Sequence, residues 1–181
     1  MNKTIVCLIG PSGSGKTYIG TMLANVGFNE IISHTTRKKR PGERDDIDYH
    51  FVSKEEFSAV EMIETNFYSG EWYGTSSEEV GNNLVRSDKL YQVTTFSGFE
   101  KIKSACPKVK VVSIFVEASQ EKREERMSIR GDSLSSIQKR ITVDTAKWDA
   151  IKTKCDFALN NDRDKSAGEI LATIDNFLSQ K

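Results

Sequence analysis

Residues 10–17 read G-P-S-G-S-G-K-T, and this octapeptide constrains the fold more than any other stretch of the chain. It satisfies the pattern G-x-x-x-x-G-K-[ST], which works only where a strand delivers a glycine-rich loop onto the N-terminus of a helix. Both flanks agree. Residues 4–9, T-I-V-C-L-I, form a nearly continuous apolar run rich in β-branched side chains, as in a strand buried on both faces. Beyond Lys16, the residues Thr17, Tyr18, Ile19, Met22, Leu23 and Val26 recur at the spacing of one helix face. Gly10, Gly13 and Gly15 let the backbone curl so that N–H groups converge on phosphate oxygens, with Pro11, Ser12 and Ser14 completing the loop. Lys16 would reach the β- and γ-phosphates, and the Thr17 hydroxyl would join a Mg²⁺ shell. The motif predicts a nucleoside triphosphate site with Mg²⁺ as its companion.

The remaining composition narrows the class. A chain of 181 residues suits one α/β domain, and 26 basic against 26 acidic residues leave no net charge. That balance argues against nucleic acid or a membrane surface as partner of the whole molecule. Basic residues gather locally at 37–44 and 122–130, which suits small anionic ligands. Cys7, Cys106 and Cys155 are odd in number and lack metal-ligand spacing, so they read as reduced thiols of a cytoplasmic protein. No signal peptide precedes the first strand, and no apolar run is long enough to span a membrane. His34 and His50 have no partners at triad or metal spacing and read as structural.

Along the chain, a short strand is expected at 30–32, then a polar, turn-rich stretch at 33–48 and a strand at 49–52. Ser53 with Glu56 forms a capping box, and residues 63–74 alternate with aromatics as a hairpin does. Ser76 with Glu79 predicts another box and a helix to about residue 87. Strands follow at 90–96, 110–116 and 157–159, with helices between them at 98–105, from Ser119 to a break at Gly131, and from Leu134 through Ile137, Ile141, Trp148 and Ile151. Ser166 and Glu169 cap a terminal helix. This β-α alternation predicts a parallel sheet flanked by helices, a P-loop NTPase-type α/β fold. The block from residue 33 interrupts it as a small β-rich insertion, and the charged helix beyond residue 120 forms a lid.

Within that insertion, Ser33 to Glu43 reads S-H-T-T-R-K-K-R-P-G-E, with Arg37 and Arg40 three apart; their forks suit the oxygens of an acceptor phosphate. D-Y-H-F carries Tyr49, Glu64 stands nine residues before Y-G-T at Tyr73, and Asn161-Asp162 follows late. On these segments, over almost the whole chain, the sequence resembles the guanylate kinases. The resemblance implies a single domain over 1–181: a core of about 1–32, 76–120 and 141–181, a monophosphate-binding insertion of about 33–75, and a lid of about 121–140. It implies transfer of the γ-phosphate of ATP to GMP. ATP would be held by residues 10–17 and Asn161, with Lys16, Arg126, Arg130 and Arg140 serving the transferring group. The GMP phosphate is assigned to Arg37, Arg40, Tyr49 and Tyr73, and its base to Ser33, Glu64 and Thr75. The Glu64 role also follows from chemistry: one carboxylate accepts from both N1–H and N2–H₂ of guanine, whereas adenine presents an unprotonated N1. Nucleotides would be the only partners, and the protein a monomer or homodimer.

The chain departs from the family in places. Relatives carry two acids shortly before a glycine, as D-x-D-x-x-G, where this sequence has Val93 and Thr95 before Gly98. If the strand runs to residue 96, these two side chains share a face and Thr95 meets the base. Lys147 stands where many relatives have Glu, with Asp144 and Asp149 as nearby substitutes. Two other readings therefore stay open: a kinase of the same fold acting on another nucleoside monophosphate, and a non-catalytic binding domain, which the intact phosphate loop disfavours.

Overall fold

Two sheets of different construction carry the protein. The computed structural model describes residues 3–68, 70–162 and 166–180, and of 143–147 the backbone alone, so the side chains of Asp144 and Lys147 lie outside the described part. The larger sheet contains β1 (Thr4–Ile9), β2 (Asn29–Glu30), β7 (Lys89–Val93), β8 (Lys110–Glu117) and β9 (Phe157–Asn160) in the order β2-β7-β1-β8-β9. Every pair in it is parallel. The smaller sheet has the order β4-β3-β6-β5, from β3 (His34–Thr35), β4 (His50–Phe51), β5 (Met62–Tyr68) and β6 (Glu71–Ser76). It is mixed, with β5 and β6 an antiparallel hairpin.

Strand β1 explains the layering. Val6 and Leu8 face a cluster with Ile19 and Leu23 of α1 (Lys16–Asn25) and Ile170 and Ile174 of α7 (Ala167–Ser179). Ile5, Cys7 and Ile9 face the opposite cluster, with Val80 of α3 (Ser77–Arg86) and Phe99 and Ile102 of α4 (Phe96–Ala105). Period-two alternation on a strand covered on both faces thus builds two half-cores. Truncating a fully buried member such as Ile19 to Ala would cost about 2–5 kcal/mol. A third cluster joins Met127 of α5 (Gln120–Ile129) to Ile137 and Ile141 of α6 (Leu134–Lys152), tying the charged helix to its successor. Gly131, at φ 86°, makes the turn between them. Among the described residues no helix is long and apolar enough to cross a membrane.

The capping boxes at Ser53/Glu56, which opens α2 (Lys54–Ala59), and at Ser166/Glu169 are both complete. The one expected at Ser76/Glu79 is half-formed. Ser76 accepts from Glu79 N, but the Glu79 carboxylate turns instead to Ile32 N at 3.1 Å and Asn83 Nδ2 at 2.8 Å. The apolar stripes are narrower than the spacing predicts: Tyr18, Val26 and Leu134 are 52, 47 and 81 % exposed. The strand expected to reach residue 96 ends at Val93. Thr95 is instead the N-cap of α4, its Oγ1 accepting from Gly98 N at 3.0 Å. Val93 packs into the cluster under α1 and α7. The shared strand face expected of the two is therefore absent: a β-branched run and an N-cap look alike in sequence, and here the cap prevailed, with Gly98 lying beside Glu64.

Candidate active site

The phosphate loop leaves the C-terminal end of β1 between β7 and β8, the crevice where open parallel sheets take their ligands. Its carbonyls are tied outward. Arg123 Nε donates to Ser12 O at 2.9 Å, and Arg126 Nη1 to Gly13 O and Ser14 O at 3.3 and 3.2 Å. Asn161 Nδ2 donates to Ser14 O at 2.8 Å. In a trans peptide the C=O and the following N–H point in opposite directions, so these bonds turn the N–H groups of Gly13 and Gly15 away from the arginines and Asn161. Gly13 (φ 79°) and Gly15 (φ 97°) need the left-handed region. A Cβ on Gly13 would lie 2.6 Å from Arg123 O, and one on Gly15 would collide with Asn161 Nδ2. Lys16 Nζ donates to Gly10 O and Pro11 O at 2.8 and 2.9 Å, and Thr17 is exposed beside it on the first turn of α1.

Arginines of α5 and α6 reach the loop at one end and the small sheet at the other. Arg126 Nη2 also donates to Asn161 O at 2.8 Å. Arg130 and Arg140 both pair with Asp132, the latter at 3.4 Å. Burial pushes the Asp132 carboxyl up, but the Arg130 hydrogen bond and the charges of Arg130, Arg140 and Arg40 outweigh it and hold it below the usual carboxylate range. The guanidinium of Arg140 also lies 5.9 Å from the Tyr68 ring of β5.

In the insertion, Arg37 donates both arms to Glu43, at 3.0 and 2.9 Å, and lies over the rings of Tyr49 and Phe51. Arg40 N donates to the same carboxylate at 2.8 Å, so Glu43 spaces the two guanidinium groups. Tyr49 and Tyr73 meet edge to face at 6.0 Å, and burial, then Tyr73, pushes the Tyr49 phenol up. Glu64 is 6 % exposed and accepts from Thr75 Oγ1 at 3.0 Å. Burial raises its carboxyl above the usual range, against the opposing effects of the Thr75 hydrogen bond and Lys101. Gln92 of β7 joins Thr75 to Ser33, which its Nε2 reaches at 3.3 Å. The rings of His34 and His50 meet at 4.5 Å, tilted by 41°, and His50 finds Asp46 Oδ1 at 2.7 Å and Glu79 Oε2 at 3.5 Å.

The structure thus gathers Ser33, Glu64 and Thr75 at one point, Arg37, Arg40, Tyr49 and Tyr73 near another, and Lys16, Arg126 and Asn161 at the loop. Sequence reasoning missed three participants. Arg123, 7 % exposed, sits in a run that reads as a solvated helix, and its signal was the position one turn before Arg126. Asp132 was hidden as a polar residue after a glycine, and Gln92 as one polar residue in an apolar strand.

A parallel sheet with a phosphate loop at its crevice, facing an inserted pocket of arginines, tyrosines and a buried carboxylate, defines a P-loop phosphotransferase for small phosphorylated acceptors. Comparison with known proteins narrows this. A family model described as guanylate kinase matches residues 1–180. The guanylate kinase of Synechococcus sp. (strain JA-3-3Ab) is 33 % identical over 94 % of this chain and 81 % of its own length. That of Fusobacterium nucleatum is 30 % identical over 92 % of this chain and 93 % of its own. The crystal structure of guanylate kinase from Anaplasma phagocytophilum superposes with a TM-score of 0.70 at 25 % identity, covering 99 % of this chain and 86 % of that one. The chain belongs to the guanylate kinase family.

Proposed function

We infer that this protein transfers the γ-phosphoryl group of ATP to GMP, giving ADP and GDP. The observation that carries the acceptor's identity is the buried Glu64 carboxylate, held by Thr75 beside Ser33 and Gln92 in a chain of the guanylate kinase family. Family membership over nearly the whole length and the intact phosphate loop disfavour a different acceptor or a binding-only role.

In this mechanism the N–H groups of residues 10–17 and the N-terminus of α1 receive the ATP phosphates, and Lys16 exchanges its loop carbonyls for the β- and γ-oxygens. Asn161 sits beside the loop on the adenine side. Arg37 and Arg40, spaced by Glu43 and backed by Tyr49 and Tyr73, take the acceptor phosphate and align it. Glu64 accepts from N1–H and N2–H₂ of guanine, with Ser33 and Thr75 adding hydroxyls. Arg130 and Arg140 neutralise charge on the transferring group once phosphate competes for them with Asp132, and Arg126 serves it through the loop, holding the carbonyls so that the N–H groups face the phosphates. No side chain needs to remove a proton, because the attacking phosphate oxygen is already anionic; positioning and charge neutralisation carry the rate.

Mg²⁺ fits this site as a companion of ATP. Among the described residues no group of three or more His, Cys, Asp or Glu could hold a metal alone, and Thr17 offers one exposed neutral oxygen at the loop. That set suits an ion that takes phosphate and water oxygens for most of its shell. When bound it neutralises the β- and γ-phosphates. The working parts are a core of about 1–32, 76–120 and 141–181, a monophosphate-binding insertion of about 33–75 and a lid of about 121–140. The same reading makes it a cytoplasmic enzyme of purine nucleotide metabolism, a monomer or homodimer. Chromatography of the purified chain with ATP, Mg²⁺ and GMP is expected to show GDP and ADP forming in equal amounts. ATP loss without GDP would overturn the assignment.

A further inference from the structure

We propose that Gln92 is a positioning residue for the monophosphate base, acting by fixing the direction of the Thr75 and Ser33 hydroxyls around Glu64. The proposal rests on the assignment of Ser33, Glu64 and Thr75 to the acceptor base.

The side chains of β7 alternate. Tyr91 and Val93 belong to the cluster under α1 and α7, while Leu90 belongs to the cluster under α3 and α4. Gln92 therefore projects to the face that Glu64 approaches, at 0 % exposure. Its Nε2 donates to Thr75 Oγ1 and, at 3.3 Å, to Ser33 Oγ, and Thr75 Oγ1 donates to Glu64 Oε1 at 3.0 Å.

Donor and acceptor inventory fixes which way round the amide lies. An ionised carboxylate only accepts, so the single proton of Thr75 must go to Glu64. The Thr75 oxygen must then accept from its other neighbour, and only the amide nitrogen can donate. Were the amide reversed, its oxygen would compete with Glu64 for that proton. The relay runs one way, from Gln92 N–H through the Thr75 hydroxyl to Glu64 Oε1. It pins one carboxylate oxygen, while Oε2 lies beside Gly98 at the start of α4, so the plane of the carboxylate that meets the base is set. It also spends a lone pair of Ser33 Oγ, so the Ser33 proton is free to donate to ligand.

This arrangement costs the fold stability. Gln92 Oε1 is buried with no partner among the described residues. An apolar side chain of equal size would avoid that desolvation. A residue that only filled the core would be better as Met or Leu.

The test is Gln92→Met, alone and combined with Thr75→Val, measured by steady-state kinetics and thermal melting. Gln92→Met is expected to raise KM for GMP about tenfold, the worth of one oriented hydrogen bond, with KM for ATP unmoved and Tm equal or higher. In the Thr75→Val background, which itself raises KM for GMP, it is expected to add nothing, because both changes break one relay. If Gln92→Met does not fold, Gln92→Glu keeps the shape but cannot donate when ionised, and it is expected to show at least the same loss. Three results would overturn the proposal. One is an unchanged KM for GMP with a lowered Tm, which makes Gln92 structural. A second is a full further loss in the Thr75→Val background, which makes it act independently. The third is an unchanged KM for GMP in Thr75→Val alone, which removes the base-site assignment as well; the first two leave that assignment standing.

Discussion

The phosphate loop and the side-chain pocket of the small sheet, the two ends of the proposed transfer, are built in opposite ways. The loop is contiguous, and its ligands are backbone N–H groups, aimed because Arg123, Arg126 and Asn161 pull the carbonyls the other way. The pocket is scattered. Its side chains arrive from β6, from the segment after β3, from β5 and from β7, and the convergence exists only once the small sheet has docked beside α4. Backbone ligands recognise what all nucleoside triphosphates share. Side-chain ligands at fixed spacing recognise one base. On the proposed assignment the donor end is generic and the acceptor end selective.

The largest effect should come from the loop. Lys16→Ala removes the loop's own charge on the β- and γ-phosphates, and kcat is expected to fall about 100- to 1000-fold. GMP affinity, measured without ATP, should stay within twofold. Equal losses at both ends would mean the two sites are one unit.

Glu64→Gln sharpens the comparison from the other side. The amide accepts one guanine proton and opposes the other, so kcat/KM for GMP should drop about tenfold to 100-fold with KM for ATP unchanged. A pH series adds a signature. Because burial raises the Glu64 carboxyl, the folded protein binds this proton more tightly than the unfolded chain does. As pH falls through the window between the two values, this group adds stability while KM for GMP rises. The GMP phosphate titrates near about pH 6 as well, so the diagnostic is the difference between wild type and Glu64→Gln. The wild type should lose GMP affinity more steeply on acidification, and parallel profiles would remove Glu64 from the base.

The smallest effect belongs to Thr95, whose hydroxyl is engaged as the cap of α4. Thr95→Ala should cost about 1 kcal/mol through the lost cap on α4, read as a lower Tm, with KM for GMP little changed. A tenfold rise in KM for GMP at unchanged Tm would return Thr95 to the base.

The two regions also differed in how much of them could be read from sequence. The loop was legible because its physics is local: strand, glycines, lysine and helix occur within residues 4–25. The hairpin and the boxes at Ser53 and Ser166 were legible for the same reason. The pocket's arginines and Glu64 had a chemical reading of their own, but that they belong to one site became readable through resemblance to a family, since no local rule links residue 33 to 64 or 92. Where the chain departs from that family, the strand was read too long. The run V-T-T-F reads as strand, but Thr95 finds Gly98 N and starts a helix, so the strand's contribution to the pocket face passes to Gln92. In the charged helix only Arg123 was passed over, because it looks like part of a solvated face until the Ser12 carbonyl is seen to accept from it.

The selectivity of the acceptor end is tested most directly by one panel: kcat/KM with saturating ATP for GMP, dGMP, IMP, AMP, CMP, UMP and dTMP. A buried carboxylate reading both guanine donors predicts GMP and dGMP first, IMP weaker by the loss of N2–H₂, and AMP and the pyrimidines weaker still. A higher value for AMP or any pyrimidine than for GMP would contradict it.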